Sequence, residues 1–117
     1  SDIGDEGCKA LGESLRTNQN LRSINLSGCK IGNEGCKALG EGLEHNKALT
    51  SIALSGCGRI GDAGYKELSE NLKLNKALKS IDLSSRSFRD DGCRWLGEAL
   101  KINEALTSIN LSGCGFG

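Results

Sequence analysis

The chain has no excess of charge of either sign: Lys and Arg total 15, and Asp and Glu total 15. Nucleic-acid binders and polybasic membrane binders concentrate positive charge, so the balance argues against both partners. No apolar run approaches the ~20 residues of a membrane-spanning helix. No secretory signal pattern follows Ser1. Proline and methionine are absent, and without an initiator Met the chain is expected to be trimmed or cut from something longer. There is one histidine, His45, and no Cys-x-x-Cys, so a structural zinc site lacks its usual ligand spacing. A lone His with no adjacent nucleophile or orienting acid makes no triad either. His45 reads as a solvated residue near a helix end. No catalytic residue, metal or cofactor is expected.

Glycine and internal repetition are abundant. The 117 residues suit one ordinary domain, and 17 of them are Gly. Residues 3–30, 31–59, 60–87 and 88–115 are four copies of one unit, and the first two agree at 19 of 28 aligned positions. In the first half of each unit, apolar residues recur at helical spacing: Cys8, Leu11 and Leu15, then Cys36, Leu39 and Leu43. Asp5, Asn33, Asp62 and Asp90 stand where an N-cap is expected. Asn18, Asn46, Asn75 and Asn103 stand at the other end, where Asn tolerates a left-handed turn. In the second half, Ile24 and Leu26 alternate with Ser23 and Asn25, as do Ile52/Leu54, Ile81/Leu83 and Ile109/Leu111. Period two with one apolar face predicts a short strand. A strand and a helix repeating every 28 residues or so stack as a solenoid, with parallel strands on one side and helices on the other.

The pattern Leu21-x-x-Ile24-x-Leu26-x-x-Cys29-x-Ile31, followed by Gly35, Leu39 and Leu43, resembles a leucine-rich repeat. The repeat length and the helical side resemble the ribonuclease-inhibitor-like subclass. The wording IGxEGxKALxExLxxNxALTSIxLSG is similar to repeats of nucleotide-binding leucine-rich-repeat receptors. The resemblance implies an α/β fold, a right-handed leucine-rich-repeat superhelix of four repeats with its parallel sheet concave and its helices convex. It also implies a protein-binding role in an intracellular receptor-like or scaffold protein. At the ladder position usually held by Asn in the family stand Cys29, Cys57, Arg86 and Cys114. Arg86 departs from the pattern, so it is expected to turn outward and the third loop to differ from its sisters.

All six cysteines fall in two repeat columns: Cys8, Cys36 and Cys93, with Tyr65 replacing the third, and Cys29, Cys57 and Cys114. They read as reduced, buried, small hydrophobes. The N-x-S sequons at Asn25 and Asn110 lie on the expected concave face, where glycans would block binding. Together with free thiols they favour the cytoplasm. Gly56-x-Gly58-x-x-Gly61, with Asp82 about 20 residues on, mimics a dinucleotide fingerprint. It arises from the extra residue in the second unit, and strands with Ser at alternate positions are not those of a sheet buried on both faces. Nucleotide binding is therefore rejected. Glu13, Glu41, Glu70 and Glu98 follow Lys9, Lys37, Lys66 and Arg94 by four residues and are expected to pair along the helix surface.

A partner is expected on the polar concave face, with Arg22, Asn25, Lys79, Asp82 and Asn110 as candidate contacts. Trp95, in a column that otherwise holds Ala10, Ala38 and Glu67, is expected to cover a helix flank. Alternatively, Arg94, Trp95 and Glu98 form a lateral docking patch. Ile3, Leu106, Ile109, Leu111 and Phe116 would meet water at the ends of the stack, where neither end has a polar capping repeat. The chain is thus expected to be a non-catalytic protein-interaction module, a fragment of a longer array. The alternative is a self-associating structural or engineered array stacking through those ends.

Overall fold

The computed structural model describes residues 3–112. It contains four helices and four strands in strict alternation: α1 (Asp5–Thr17), β1 (Ser23–Asn25), α2 (Asn33–His45), β2 (Ser51–Ala53), α3 (Asp62–Leu72), β3 (Ser80–Asp82), α4 (Asp90–Ile102) and β4 (Ser108–Asn110). The strands form one parallel sheet in the order β1-β2-β3-β4. Ile24, Ile52, Ile81 and Ile109 align across it, flanked by the row Ser23, Ser51, Ser80, Ser108 and the row Asn25, Ala53, Asp82, Asn110. The extra residue of the second unit lies in the loop before α3 and leaves this register intact. Among the described residues, helix lies beside helix and strand beside strand between adjacent repeats alone, which is the one-dimensional logic of an α/β repeat solenoid.

One core runs the length of the stack. Leu26, Leu54 and Leu83, just beyond the strands, meet Leu15, Leu39, Leu43, Leu68, Leu72 and Leu96 from the helices. Between α1 and α2 the backbones come unusually close. A Cβ added to Gly42 would lie 2.3 Å from the Gly12 carbonyl oxygen, so only glycine permits this approach. Tyr65 replaces the cysteine of its column and meets Phe88 edge-on at 4.9 Å.

Four expectations about polar positions need correction. Asp5, Asn33, Asp62 and Asp90 are the first helical residues rather than N-caps; Gly4, Gly32, Gly61 and Arg89 occupy the caps. The Asp5 carboxylate caps the next helix instead, accepting hydrogen bonds from Gly32 N at 2.7 Å and Gly35 N at 3.1 Å. Asn33 does the same for Gly61 N and Gly64 N. The Asn column adopts no left-handed turn, because among the described residues only Gly28 and Gly56 have positive φ. Asn46, Asn75 and Asn103 instead join repeats. Each side-chain amide donates to carbonyls at the end of the preceding helix and its following loop, while its oxygen accepts two N–H groups of its own loop.

Among the described residues the expected four-residue ion pairs do not form, and several of their members pair otherwise. Lys9 faces Glu6, Lys73 faces Glu70, Lys101 faces Glu98 and Arg94 faces Asp91, while Glu41 reaches back to Arg16 of the preceding repeat. Finally, Cys8, Cys29, Cys36 and Cys57 are buried, but Cys93 is exposed. Its column faces the following repeat: Cys36 Sγ donates to Gly64 O at 3.5 Å. Among the described residues nothing lies over Cys93. Cys114 lies outside the described residues.

Candidate interaction face

The sheet surface opposite the helices is built from side chains held by the strand register. Asn25 accepts from Ser27 N at 3.0 Å, Asp82 from Ser84 N at 2.9 Å and Asn110 from Ser112 N at 2.9 Å, so each is pinned to its own turn. The rows are also tied across strands. Ser55 Oγ donates to Ser27 Oγ at 2.7 Å, Ser84 Oγ to Asn110 Oδ1 at 3.1 Å, and Asn110 Nδ2 to Asp82 Oδ2 at 3.4 Å. Thus Asp82 and Asn110 form one polar cluster on neighbouring strands, while Asn25 stands apart beside Ala53. Such a surface offers fixed, pre-ordered hydrogen-bonding groups to a partner.

Arg22 and Lys79 lie at the entry edge of the strands and are both exposed. The Arg22 guanidinium donates to Ala48 O at 3.3 Å. Lys79 lines a cleft of about 560 Å³ with Lys73, Lys76, Ile102 and Glu104. Leu74 lines the neighbouring cleft with Lys47 and Lys76. Leu74 and Ile102 are the most exposed large apolar side chains among the described residues, at 59% and 55%. Sequence reasoning missed this basic, partly apolar margin. The signal was present, since the column that holds Thr17 and His45 in the first two repeats turns apolar at Leu74 and Ile102.

Trp95 is half-buried against the core. Arg94 and Glu98 flank it in sequence, but each is paired within its own helix, to Asp91 and Lys101. At the ends of the stack, Ile3 is exposed and Leu106, Ile109 and Leu111 are half-buried; Phe116 lies outside the described residues.

Arg86 is exposed, and the third loop departs from its sisters. Where Cys57 Sγ donates to Leu26 O at 3.2 Å, the third repeat fills the same region with Ser85 and Ser87, and Tyr65 Oη lies 2.8 Å from Ser87 Oγ. The glycine loop that mimics a dinucleotide site has its N–H groups engaged. Gly58 N donates to Gly56 O, and Gly61 N to Asn33 Oδ1 at 2.7 Å. Burial pushes the Cys8 and Cys36 thiols from 9.0 up to about 12, and it also raises Cys57. These thiols stay protonated at neutral pH and are poor nucleophiles. No group of three or more His, Cys, Asp or Glu side chains suited to a metal ion occurs among the described residues. Nor, among those residues, is any helix long and apolar enough to cross a membrane.

A solved structure of the leiomodin-1 actin-binding site 2 superposes with a TM-score of 0.83 over 93% of this chain, at 20% identity. The chain spans 64% of that structure's length. The C-terminal domain of tropomodulin from Caenorhabditis elegans gives a TM-score of 0.63 at 17% identity, covering 90% of this chain and 82% of that one. At these identities the likeness is one of fold. No curated protein sequence matches the chain. The leucine-rich-repeat model matches residues 1–12, 17–40 and 45–69, more than half of the sequence, and the chain belongs to the leucine-rich-repeat family.

Proposed function

We propose that this chain is a non-catalytic scaffold that binds a protein partner through the open face of its sheet, inside the cytoplasm. The observation that carries the reading is the locked polar lattice of Asp82, Ser84 and Asn110 on adjacent strands. Side chains already fixed by hydrogen bonds lose little freedom on binding, so even a modest surface keeps most of its interaction energy. Lys79 and Arg22 at the strand entry add charge that orients the partner. Protonated, buried Cys8 and Cys36 thiols support a role without catalysis, and cysteines packed into the core as small hydrophobes support a reducing compartment.

The period of 28 or 29 residues with a helix in every repeat supports assignment to the ribonuclease-inhibitor-like subclass. The same repeat wording favours a sensing or scaffold array of an intracellular receptor-like protein. The partner is neither nucleic acid nor membrane on this reading, since net charge is zero. The solved neighbour titled as an actin-binding site makes actin the first protein to test. Purified actin is titrated with the chain and with Lys79→Ala and Asp82→Ala, and the complex is followed by sedimentation. Binding weakened several-fold by both substitutions supports the proposed face. Binding unaffected by either moves the site elsewhere, and Trp95→Ala then tests the lateral patch. With no actin binding, the same variants are compared in lysate pull-downs, where equal capture by all of them sinks the face.

A further inference from the structure

We propose that the margin at the C-terminal ends of α2, α3 and α4, centred on Leu74 and Lys76, is a second docking surface that takes an acidic, extended segment of a partner protein carrying two apolar side chains. This goes beyond the open-face reading, uses a different edge of the molecule and does not depend on it.

Exposure at this margin is a property of the repeat and not of the first or last unit. Thr17, His45, Leu74 and Ile102 share one column, and all four are exposed. Leu74 has a repeat on each side and is still 59% exposed, as open as Ile102 at 55%. The neighbouring units leave this column uncovered, so the fold gains little from a leucine there, and Thr17 and His45 serve the same position.

Two clefts open on the margin, each between two repeats of the stack. The cleft of the second and third repeats, about 330 Å³, is lined by Lys47 from the earlier unit and by Leu74 and Lys76 from the later one. The cleft of the third and fourth, about 560 Å³, is lined by Lys73, Lys76 and Lys79 from the earlier unit and Ile102 from the later one. Each cleft sets one apolar side chain against cations of the repeat before it, and Lys76 belongs to both. The carboxylates lining the clefts are Glu44 and Glu104. Lys73 is paired with Glu70, but Lys47, Lys76 and Lys79 form no ion pair among the described residues. The helix-end carbonyls of Leu43 and Leu72 are taken by the amides of Asn75 and Asn103. In a chain of zero net charge, this local excess of unpaired cations is complementary to a negative partner.

The spacing selects the partner's conformation. Adjacent repeats are set between ~4.8 Å apart, as strands are, and ~10 Å apart, as helices are. In an extended chain, residues i and i+2 share a face and lie ~7 Å apart, inside that range. Two apolar side chains of one extended segment therefore reach Leu74 and Ile102 together, while carboxylates around them meet Lys47, Lys76 and Lys79. A lipid surface fits less well, because these groups line clefts that a plane of headgroups does not enter.

Selection of a phage-displayed library of random peptides on the chain tests this, followed by titration of the selected peptides by fluorescence anisotropy. The expected consensus has two apolar residues separated by one position among Asp and Glu. Leu74→Ser, and Lys47→Glu combined with Lys76→Glu, each weaken binding several-fold, and added salt weakens it further. Asp82→Ala, on the open face, leaves it unchanged. Lys47, Leu74 and Lys76 are exposed, so the variants fold, as thermal melts verify. A selection that yields no binder, peptides without acidic residues, or binding that ignores the Leu74 and lysine variants overturns the inference. Peptides that depend on Asp82 instead support the open face and overturn the margin. Binding to phosphatidylserine vesicles that the lysine reversals abolish, with no peptide bound, makes the margin a membrane contact and also overturns it.

Discussion

Asn46→Ala is the most informative single perturbation of the fold. The side chain is 2% exposed and makes four hydrogen bonds. Its nitrogen donates to Leu15 O at 2.9 Å and Asn18 O at 2.7 Å, and its oxygen accepts from Ala48 N at 2.9 Å and Leu49 N at 2.6 Å. Truncation strands these backbone groups. Asn18 is exposed, so its carbonyl regains water, but Leu15, Ala48 and Leu49 are buried. A buried polar group left unpaired costs about 1–3 kcal/mol, so three of them give a loss of about 3 kcal/mol at the least and about 9 kcal/mol at the most. That is a large share of the ~5–15 kcal/mol that holds a domain together. With an unfolding entropy of ~2.1 cal/mol/K per residue over 117 residues, Tm falls by at least about 12 °C. Asn18→Ala is the internal control: it removes two hydrogen bonds, both exposed, and lowers Tm by at most ~4 °C. Asn46→Asp keeps the acceptor but aims a carboxylate at two carbonyl oxygens, and also destabilises at neutral pH. Thermal melts followed by circular dichroism, with urea titrations, measure all three. Equal losses for Asn46→Ala and Asn18→Ala would show that the side-chain bridges between repeats contribute nothing, and would refute the argument.

Further outcomes follow from the same contacts. Gly42→Ala gains ~1 kcal/mol of helix propensity but drives a methyl into Gly12 O, and overpacking of about 1–3 kcal/mol or more wins, lowering Tm. Gly97→Ala in dilute solution, with nothing near its Cβ, raises stability by up to ~1 kcal/mol. Asp5→Ala loses the cap on α2 and costs about 1 kcal/mol in a urea melt, while Asp5→Asn is tolerated, because Asn33 performs the same task one repeat later. The Cys8 and Cys36 thiols are held protonated, so folding binds their protons more tightly than the unfolded chain does. Their contribution is fully present below pH 9 and declines as pH climbs from 9.0 toward about 12. Urea midpoints across that range should fall, and Cys36→Ala should flatten the slope; an unchanged slope would count against burial as the cause.

Helices, strands and their alternation were legible because each is written in local periodicity, and the four copies reinforce one another. Leu26, Leu54 and Leu83 face the core as the alternation requires. Polar residues were harder to read. Asp5 sits next to a helix start, and nothing in its spacing reveals that its carboxylate serves the helix 27 residues later. The Asn column was correctly located and wrongly explained: Asn46 has extended backbone, and its value lies in reaching the repeat before it. Cys93 matched its column in sequence and differed only in what lies above it. On the candidate face, Asp82 and Asn110 were identified singly, and their hydrogen bond across strands required the register.

By itself the sequence determined the unit: one helix, one strand, their lengths and the apolar faces they must bury. These depend on residues a few positions apart. The tertiary structure decided how units meet: which glycine lets two backbones touch, which carboxylate caps a neighbour and which serines hydrogen-bond across strands. Those contacts join residues separated by a full repeat. Their geometry exists only once the stack has formed, and identical residues acquire different roles according to whether a neighbour covers them.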